Sequence, residues 1–278
     1  MKTRSLTLVF LVAPAFLALA AMAPVSTAQQ EPIRETPVAK PDDSAAGHVV
    51  VVELFTSQGC STCPPADRLL AALGAESAGR VVPLSFHVDF WNHAGWTDPF
   101  SRGDWTRRQE VYARARGLQQ LYTPQAVVDG GAELLGSDGR GLRAAVAAAA
   151  ARPAAAISLR LEPTASKVLV EADVDRPEAL RGRKLDLILA VFETGLITPV
   201  GRGENGGRTL RNDYVVRSLR RGGRLAADGP SRTRHTTALP VAKEWSRSHL
   251  GVAAFLQDPR SLEICGAKAQ ALASREGS

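Results

Sequence analysis

Apolar and polar positions change texture along the chain. Residues 49–55 are a Val-rich, mostly apolar run closed by a Ser/Gly turn, the pattern of a strand buried on both faces. Residues 64–74 set Leu69, Leu70 and Leu73 on one stripe behind two prolines. That predicts a helix whose first turn tolerates proline because its N–H groups lack helical partners anyway. A second strand is expected over 81–88. A helix follows over 104–116, with Trp105, Tyr112 and Ala115 on one side and Gly117 as its stop. Residues 125–128 and 132–135 flank Asp129-Gly130-Gly131 and read as a β-hairpin. A helix over 138–152, capped near Ser137 or Asp138, ends before Pro153.

Beyond Pro153 the period becomes two. Ile157, Leu159 and Leu161 alternate with Ser158, Arg160 and Glu162, and Val168, Val170 and Ala172 alternate with Lys167 and Glu171. Residues 185–192 form a longer apolar run, a candidate core strand. Turn signals at Gly206-Gly207, Gly222-Gly223 and Gly229-Pro230 suggest an antiparallel sheet or sandwich. A short terminal helix is expected over 267–274. The order βαβα, hairpin, α predicts an α/β domain over 48–153, a mixed sheet covered by helices, followed by a β-rich, sandwich-like domain over 154–278.

The first residues have another logic. Lys2 and Arg4 precede an apolar stretch broken by Pro14 and closed by Pro24, and Ser26-Thr27-Ala28 supplies small residues for cleavage. Residues 1–28 therefore read as a secretory signal, with a single transmembrane anchor as the competing reading. No cysteine follows the apolar stretch to serve as a lipid anchor. Residues 29–47, rich in Pro, Ala and acids, read as a disordered lead-in. The expected location is periplasmic or secreted, with no integral membrane segment after cleavage.

Composition excludes several classes. With 45% hydrophobic and 22% charged residues the chain is neither disordered throughout nor fibrous, and three cysteines are too few for a disulfide-stapled mini-fold. The formal net charge is +6, and six arginines lie between Arg217 and Arg234 against Asp228 alone. Such a patch could meet anionic lipid, glycan or an acidic partner, but a solvated face in an Arg-rich chain is the simpler reading. Nucleic acid is not expected as a partner, because no stacking aromatics or reading motif accompany the charge.

Candidate chemistry gathers at residues 53–67. Cys60-Ser-Thr-Cys63-Pro64 places two thiols just past a buried strand, at the start of a helix. Unpaired N–H groups and the positive end of the helix dipole favour a thiolate there. Two intervening residues let the sulfurs meet, with Cys60 as nucleophile and Cys63 as resolving thiol. A zinc site and a purely structural disulfide compete with this reading. Zinc would need four ligands, and only His87 and His93 are near in sequence. A disulfide closing so short a loop gains little stability. An oxidising compartment would favour the disulfide as the resting state. Tyr122-Thr123-Pro124-Gln125 sets a proline at a strand entrance, where a cis bond would turn the backbone of Thr123 toward a bound chain; trans is the default.

On these residues the chain resembles the thioredoxin superfamily. More narrowly, residues 52–67, His87-Val-Asp-Phe-Trp91, Gly95-Trp-Thr-Asp-Pro-Phe100, 122–125, 203–210 and Val215-Val-Arg217 resemble an exported bacterial family, domain of unknown function 1223. The resemblance spans about residues 48–265 and is more specific in the first half. It implies a thioredoxin-like domain, carries the redox pair onto Cys60 and Cys63, and carries the cis proline onto Pro124. Asn92-His93 departs from the acid and aromatic expected there, and Cys265 from a small apolar residue. Thioredoxins also keep a buried carboxylate beneath the resolving thiol. Glu53, the only charge in its strand, is the candidate to take the proton of Cys63, against a solvent-facing strand-end glutamate.

The remaining candidates are weaker. Residues 87–100 carry two tryptophans and two histidines, and could wall a peptide groove in which His87, Trp91, Thr123 and Pro124 meet the substrate, or could simply pack. Asp67 reads as a first-turn partner of the helix dipole. Gly201-Arg-Gly-Glu-Asn-Gly206 fits a dinucleotide fingerprint without the strand and helix it needs, so it reads as a loop. Cys265 reads as a buried inert thiol. The function expected is exported thiol–disulfide exchange with protein or peptide thiols and disulfides, a redox partner protein among them. No metal and no cofactor beyond the dithiol are expected. The alternative is a non-catalytic thioredoxin-fold module binding a peptide or a soft metal ion.

Overall fold

The computed structural model describes residues 48–272. The expected signal over 1–28 and lead-in over 29–47 lie outside them. The first half comprises β1 (Val50–Thr56), α1 (Pro64–Glu76), β2 (Val81–His87), α2 (Gly103–Arg116), β3 (Gln125–Val128), β4 (Ala132–Leu135) and α3 (Gly139–Ala150). β1 is buried at every position, because helices cover both faces of the sheet around it. It pairs with β2 in parallel through the α1 crossover and with β3 antiparallel. Caps fall where local chemistry puts them. Pro64 and Pro65 open α1, Gly117 ends α2 at φ 67°, and the Asp138 carboxylate accepts the Gly141 N–H to start α3.

Alternation along β1 divides the interior. Val50, Val52 and Leu54 meet Leu70 and Leu73 of α1 and Leu142 of α3. Val51 and Phe55 meet Trp105 and Tyr112 of α2 on the opposite face.

The second half is β5 (Ala156–Pro163), β6 (Lys167–Asp175), β7 (Leu185–Glu193), β8 (Leu196–Pro199), β9 (Thr209–Asn212), β10 (Val215–Leu225), β11 (Arg232–Pro240), β12 (Leu250–Gln257) and β13 (Ile264–Ala271). β11, β6 and β5 form a separate three-stranded sheet. Val168, Val170, Ala172 and Val174 of β6 share a core with Leu185, Leu187 and Leu189 of β7 and Leu250, Val252 and Leu256 of β12. This is the burial that the two-residue period anticipates.

One mixed sheet joins the two halves, in the order β13-β12-β7-β10-β2-β1-β3-β4. The junction is narrow. Val215 lies opposite Ser85 in parallel, and the Ser85 N–H donates to the Tyr214 carbonyl at 2.8 Å. Phe55 and Phe86 then share a cluster with Phe192, Val216 and Phe255. The change of texture at residue 153 thus marks the start of a separate sheet, β11-β6-β5, while β7, β10, β12 and β13 continue the sheet of the first half.

Two local expectations are corrected. Residues 267–271 belong to strand β13, paired antiparallel with β12, so pairing overrides the helical propensity of an Ala-rich segment. Gly222-Gly223 is not a turn. It sits within β10 at a register shift against β7, where a Cβ on either residue would collide with Leu189 or His235.

A second tie links the β3–β4 hairpin to the approach to β13. The Ile264 N–H donates to the Asp129 carbonyl at 2.8 Å, and Gly130, at φ +62°, has no room for a Cβ beside the Leu262 carbonyl. Gly130→Ala should therefore lower unfolding stability by about 2 to 4 kcal/mol in a urea titration. A loss below about 0.5 kcal/mol, within the range of an ordinary surface change, would mean that the contact yields without strain.

Candidate functional site

Cys60 and Cys63 lie on the short turn between β1 and α1. The Cys60 N–H donates to the Ser57 carbonyl at 3.2 Å and the Cys63 N–H to the Cys60 carbonyl at 3.2 Å. Cys63 is the N-cap of α1, and Ser61 and Thr62 between the cysteines are exposed. Cys60 is only 1% exposed and Cys63 is fully buried, so the sulfurs sit just beneath the surface. All three cysteines are free thiols rather than the expected resting disulfide.

The two sulfurs are in unlike environments. The Cys63 thiol hydrogen-bonds the Cys60 sulfur, and this outweighs burial; Thr123 and Thr62 add to it, bringing the Cys60 pKa down to about 6. Cys63 is pushed well above the ordinary thiol range by its own burial, then by Cys60 and by the negative charge of Asp67. The Thr62 hydroxyl is 3.3 Å from the Cys60 sulfur. The Trp91 indole N–H donates to the Thr123 hydroxyl at 2.8 Å, which leaves the hydroxyl proton free to turn toward the sulfur. The Thr123–Pro124 peptide bond is cis, and the Pro124 carbonyl accepts the Gly136 N–H at 2.9 Å.

Strand alternation decides which polar groups lie behind the thiols. Thr56 pairs with His87 across β1 and β2. Both extend the series that faces α1, and from that helix Asp67 comes one turn after Cys63. Asp67 Oδ1, Thr56 Oγ1 and His87 Nε2 are enclosed there together. The other ring nitrogen, His87 Nδ1, is 2.7 Å from Asp98 Oδ2, which also accepts the Gln58 N–H at 2.8 Å. Burial opposes charge on His87, but Asp98 and then Asp67 outweigh it and raise its pKa. Asp98 is lowered, its own burial being outweighed by His87 and two backbone N–H groups. Burial lifts Asp67 to about 7, against the pull of His87 and Thr56.

Two expectations about residues change. Glu53 is buried but on the face of β1 opposite α1. Its carboxylate takes the Arg108 Nε at 2.6 Å and the Tyr112 hydroxyl, so it has no path to Cys63. The carboxylate whose charge bears on Cys63 is Asp67, which lies in the first turn of α1 as expected. His87 is fully buried and stands behind the thiols instead of facing a substrate. Trp91 and Thr123, by contrast, are half-buried at the surface beside Cys60.

Sequence reasoning also missed a contribution from the β8–β9 connection. Asn205, fully buried, donates from its amide to the Gln58 and Cys60 carbonyls at 2.9 and 3.0 Å. The Glu204 carboxylate accepts the Ser61 N–H at 2.9 Å. The Gln58 side chain is anchored to Thr198 and Asn212, at 3.0 and 2.8 Å. The signal available was the resemblance over 203–210, which singled this loop out of the second half. Cys265 is buried, with its pKa pushed up to about 11 by that burial. Among the described residues no group of three His, Cys, Asp or Glu side chains could hold a metal ion, and no helix is long and apolar enough to cross a membrane.

The family described as protein of unknown function (DUF1223) matches residues 51–257, a stretch that takes in both cysteines, Asp67, His87, Pro124 and Asn205. The chain belongs to this family. A crystal structure of an Agrobacterium tumefaciens protein resembles this DUF1223 chain over 84% of its length and 99% of that protein's, at 29% identity and a TM-score of 0.67. HBP35 of Porphyromonas gingivalis shares the fold over 81% of this chain and 76% of its own, at 19% identity and a TM-score of 0.58. No curated protein matches the chain.

Two substitutions separate the carboxylates. Glu53→Gln leaves the buried Arg108 without its counter-charge and should cost about 3 to 5 kcal/mol in a denaturant melt. It should leave the alkylation rate of Cys60 unaltered; a slowed rate would return Glu53 to the site. Asp67 holds its proton more tightly folded than unfolded, so it lowers stability progressively as pH rises from about 4 to about 7. Asp67→Asn should gain on the wild type across that window and run parallel to it on either side. Urea melts at several pH values read the difference, and a constant offset would contradict the raised pKa.

Proposed function

We propose that this protein catalyses thiol–disulfide exchange at Cys60 and Cys63, on a thioredoxin-like arrangement, in an exported setting. The observation that carries the reading is the division between the sulfurs: Cys60 brought down to about 6 and Cys63 pushed far up by burial. A thiolate that persists at neutral pH next to a protonated partner is what the two steps of exchange require. Further support comes from the β1–α1–β2 crossover, from the cis Pro124 whose neighbour Thr123 touches Cys60, and from the secretory pattern over residues 1–28.

In the first step the Cys60 thiolate attacks one sulfur of a disulfide RS–SR′. The Cys60–SR bond forms, the RS–SR′ bond breaks, and R′S⁻ leaves to take a proton from water. Cys63 then gives its proton to the Asp67 carboxylate and attacks the Cys60 sulfur. The Cys60–Cys63 bond forms and RS⁻ leaves. The substrate gains two electrons from the dithiol, which an external thiol pair restores; in reverse, the same steps oxidise a dithiol. Asp67, raised to about 7, suits this role, because it takes a proton near neutrality and returns it at little cost.

A second reading, a non-catalytic module that binds a peptide on the same scaffold, is favoured by one observation: the 1% exposure of Cys60. The two readings separate on the reduced protein. Exchange predicts that Cys60 alkylates with a midpoint near 6, that Cys63→Ser traps a mixed disulfide on Cys60 with glutathione disulfide, and that Cys60→Ser lowers exchange at least about 100-fold. A midpoint near the ordinary 9 together with no trapped adduct would leave the binding module.

A further inference from the structure

The β8–β9 connection belongs to the half of the chain without the thiols, yet it reaches the turn that carries them. Asn205 is oriented without ambiguity. Its Oδ1 accepts from Arg208 at 2.7 Å, so its NH₂ must face the Gln58 and Cys60 carbonyls, which can only accept. Every polar atom of this buried side chain is therefore used. Glu204, next to it, is exposed but places its carboxylate on the Ser61 N–H. That amide lies one residue before the Thr62 amide and hydroxyl that favour a thiolate on Cys60. The loop carrying both residues is closed by hydrogen bonds from the Gly207 N–H to the Val200 carbonyl at 2.8 Å and from the Val200 N–H to the Arg208 carbonyl at 2.9 Å.

We propose that Asn205 and Glu204 are positioning residues for the thiol pair: Asn205 fixes the backbone turn that presents Cys60, and Glu204 restrains the reactivity of Cys60 by bringing a negative charge to the turn that carries it. This rests on the exchange reading. The physical reason is competition. The Ser61 N–H belongs to the residue next to Cys60 and is one of the few amides of this turn left for an anion; a carboxylate that takes it up both occupies that donor and repels a thiolate on the neighbouring residue. Other charged or titratable groups surround the thiol pair on the remaining sides: Cys63 on the same turn, Asp67 from α1, and the His87–Asp98 pair, which acts on Asp67. Glu204 differs from them in coming from the outer side, through a contact 143 residues away in sequence. Because it is exposed, its effect is screened and modest.

The test uses the full-length reduced protein. Glu204→Gln keeps an acceptor for the Ser61 N–H but removes the charge. It should raise the rate of Cys60 alkylation by iodoacetamide, below the thiol midpoint, by about two- to five-fold. It should also make the Cys60–Cys63 couple more oxidising by about 10 to 20 mV, that fold-change converted at about 30 mV per decade. Asn205→Asp turns an acceptor oxygen toward two carbonyls. If Asn205 holds the turn on which Glu204 acts, the double variant should lose the Glu204→Gln effect rather than add to it. An unaltered rate and potential in Glu204→Gln, or simple additivity in a folded double variant, would overturn the proposal; should Asn205→Asp fail to fold, the Glu204→Gln result decides alone. A wild type that shows neither the low midpoint nor exchange would instead remove the functional reading, whereas an active wild type with an indifferent Glu204→Gln would remove only this inference.

Discussion

The hydrogen bond between the two thiols at the start of α1 is the contact on which the rest of the site depends. A buried thiol has two ways to lower its energy: to keep its proton, and to donate it to an acceptor. Cys63 does both, and its acceptor is the Cys60 sulfur, whose negative charge is thereby favoured. The burial that holds one sulfur protonated thus helps the other to ionise. Such a division survives only if the turn cannot relax, and it is held on several sides. β1 delivers the chain from a fully buried strand. Two prolines fix the first turn of α1. Thr123, engaged by Trp91, closes the third side, and Asn205 grips the carbonyls on the fourth.

What was legible in the sequence was local. The Val-rich strand, the prolines after Cys63, the Asp129-Gly130-Gly131 hairpin and the two-residue alternation after Pro153 all follow from turn chemistry and periodicity within a dozen residues. The spacing of the cysteines belongs to the same class. Glu53 shows where local reading stops. Its burial was legible as a lone charge in an apolar strand, but the face it points to depends on which side α1 and α2 take, and neither helix contains that information. Asp67 shows the complementary limit: it lies in the first turn of α1 as expected, but the turn alone does not reveal its burial. A carboxylate in a first helical turn has a ready local explanation, and only the arrival of Thr56 and His87 beneath it makes the site buried and polar. For the Ala-rich strand before residue 272, propensity pointed one way and the unpaired edge of β12 the other; the edge prevailed.

The second half of the chain does more than cover a sheet. β7 and β12 carry apolar residues on both faces, so one face packs against β5 and β6 while the other continues the core around Phe55 and Phe86. β8 and β9 pair only with each other, but the strands on either side of them in the chain, β7 and β10, lie in the sheet that carries the thiols, where β10 is hydrogen-bonded to β2. That registry gives meaning to hydrogen bonds between residues so distant in sequence. A loop on an independently tumbling domain would lose most of the benefit of the Asn205 contacts to the entropy of docking. On a hairpin whose flanking strands share the thiol sheet, that cost is already met by folding.

The same architecture accounts for the near-complete burial of Cys60. In a site built only from β1, α1 and the Thr123–Pro124 segment, the sulfur at the helix tip would face open solvent on the side where Glu204 and Asn205 now lie. Filling that side tightens the turn and excludes water, which strengthens every electrostatic effect on the sulfur. It also narrows the approach to the quarter bounded by Ser61, Thr62, Trp91 and Thr123, the partly or fully exposed residues around the thiol. On the proposed reading, reactivity and access are set by different sides of one turn: the groups that lower Cys60 and raise Cys63 all come from the first half, while the second half contributes the contacts of Asn205 and Glu204 to the backbone of the turn.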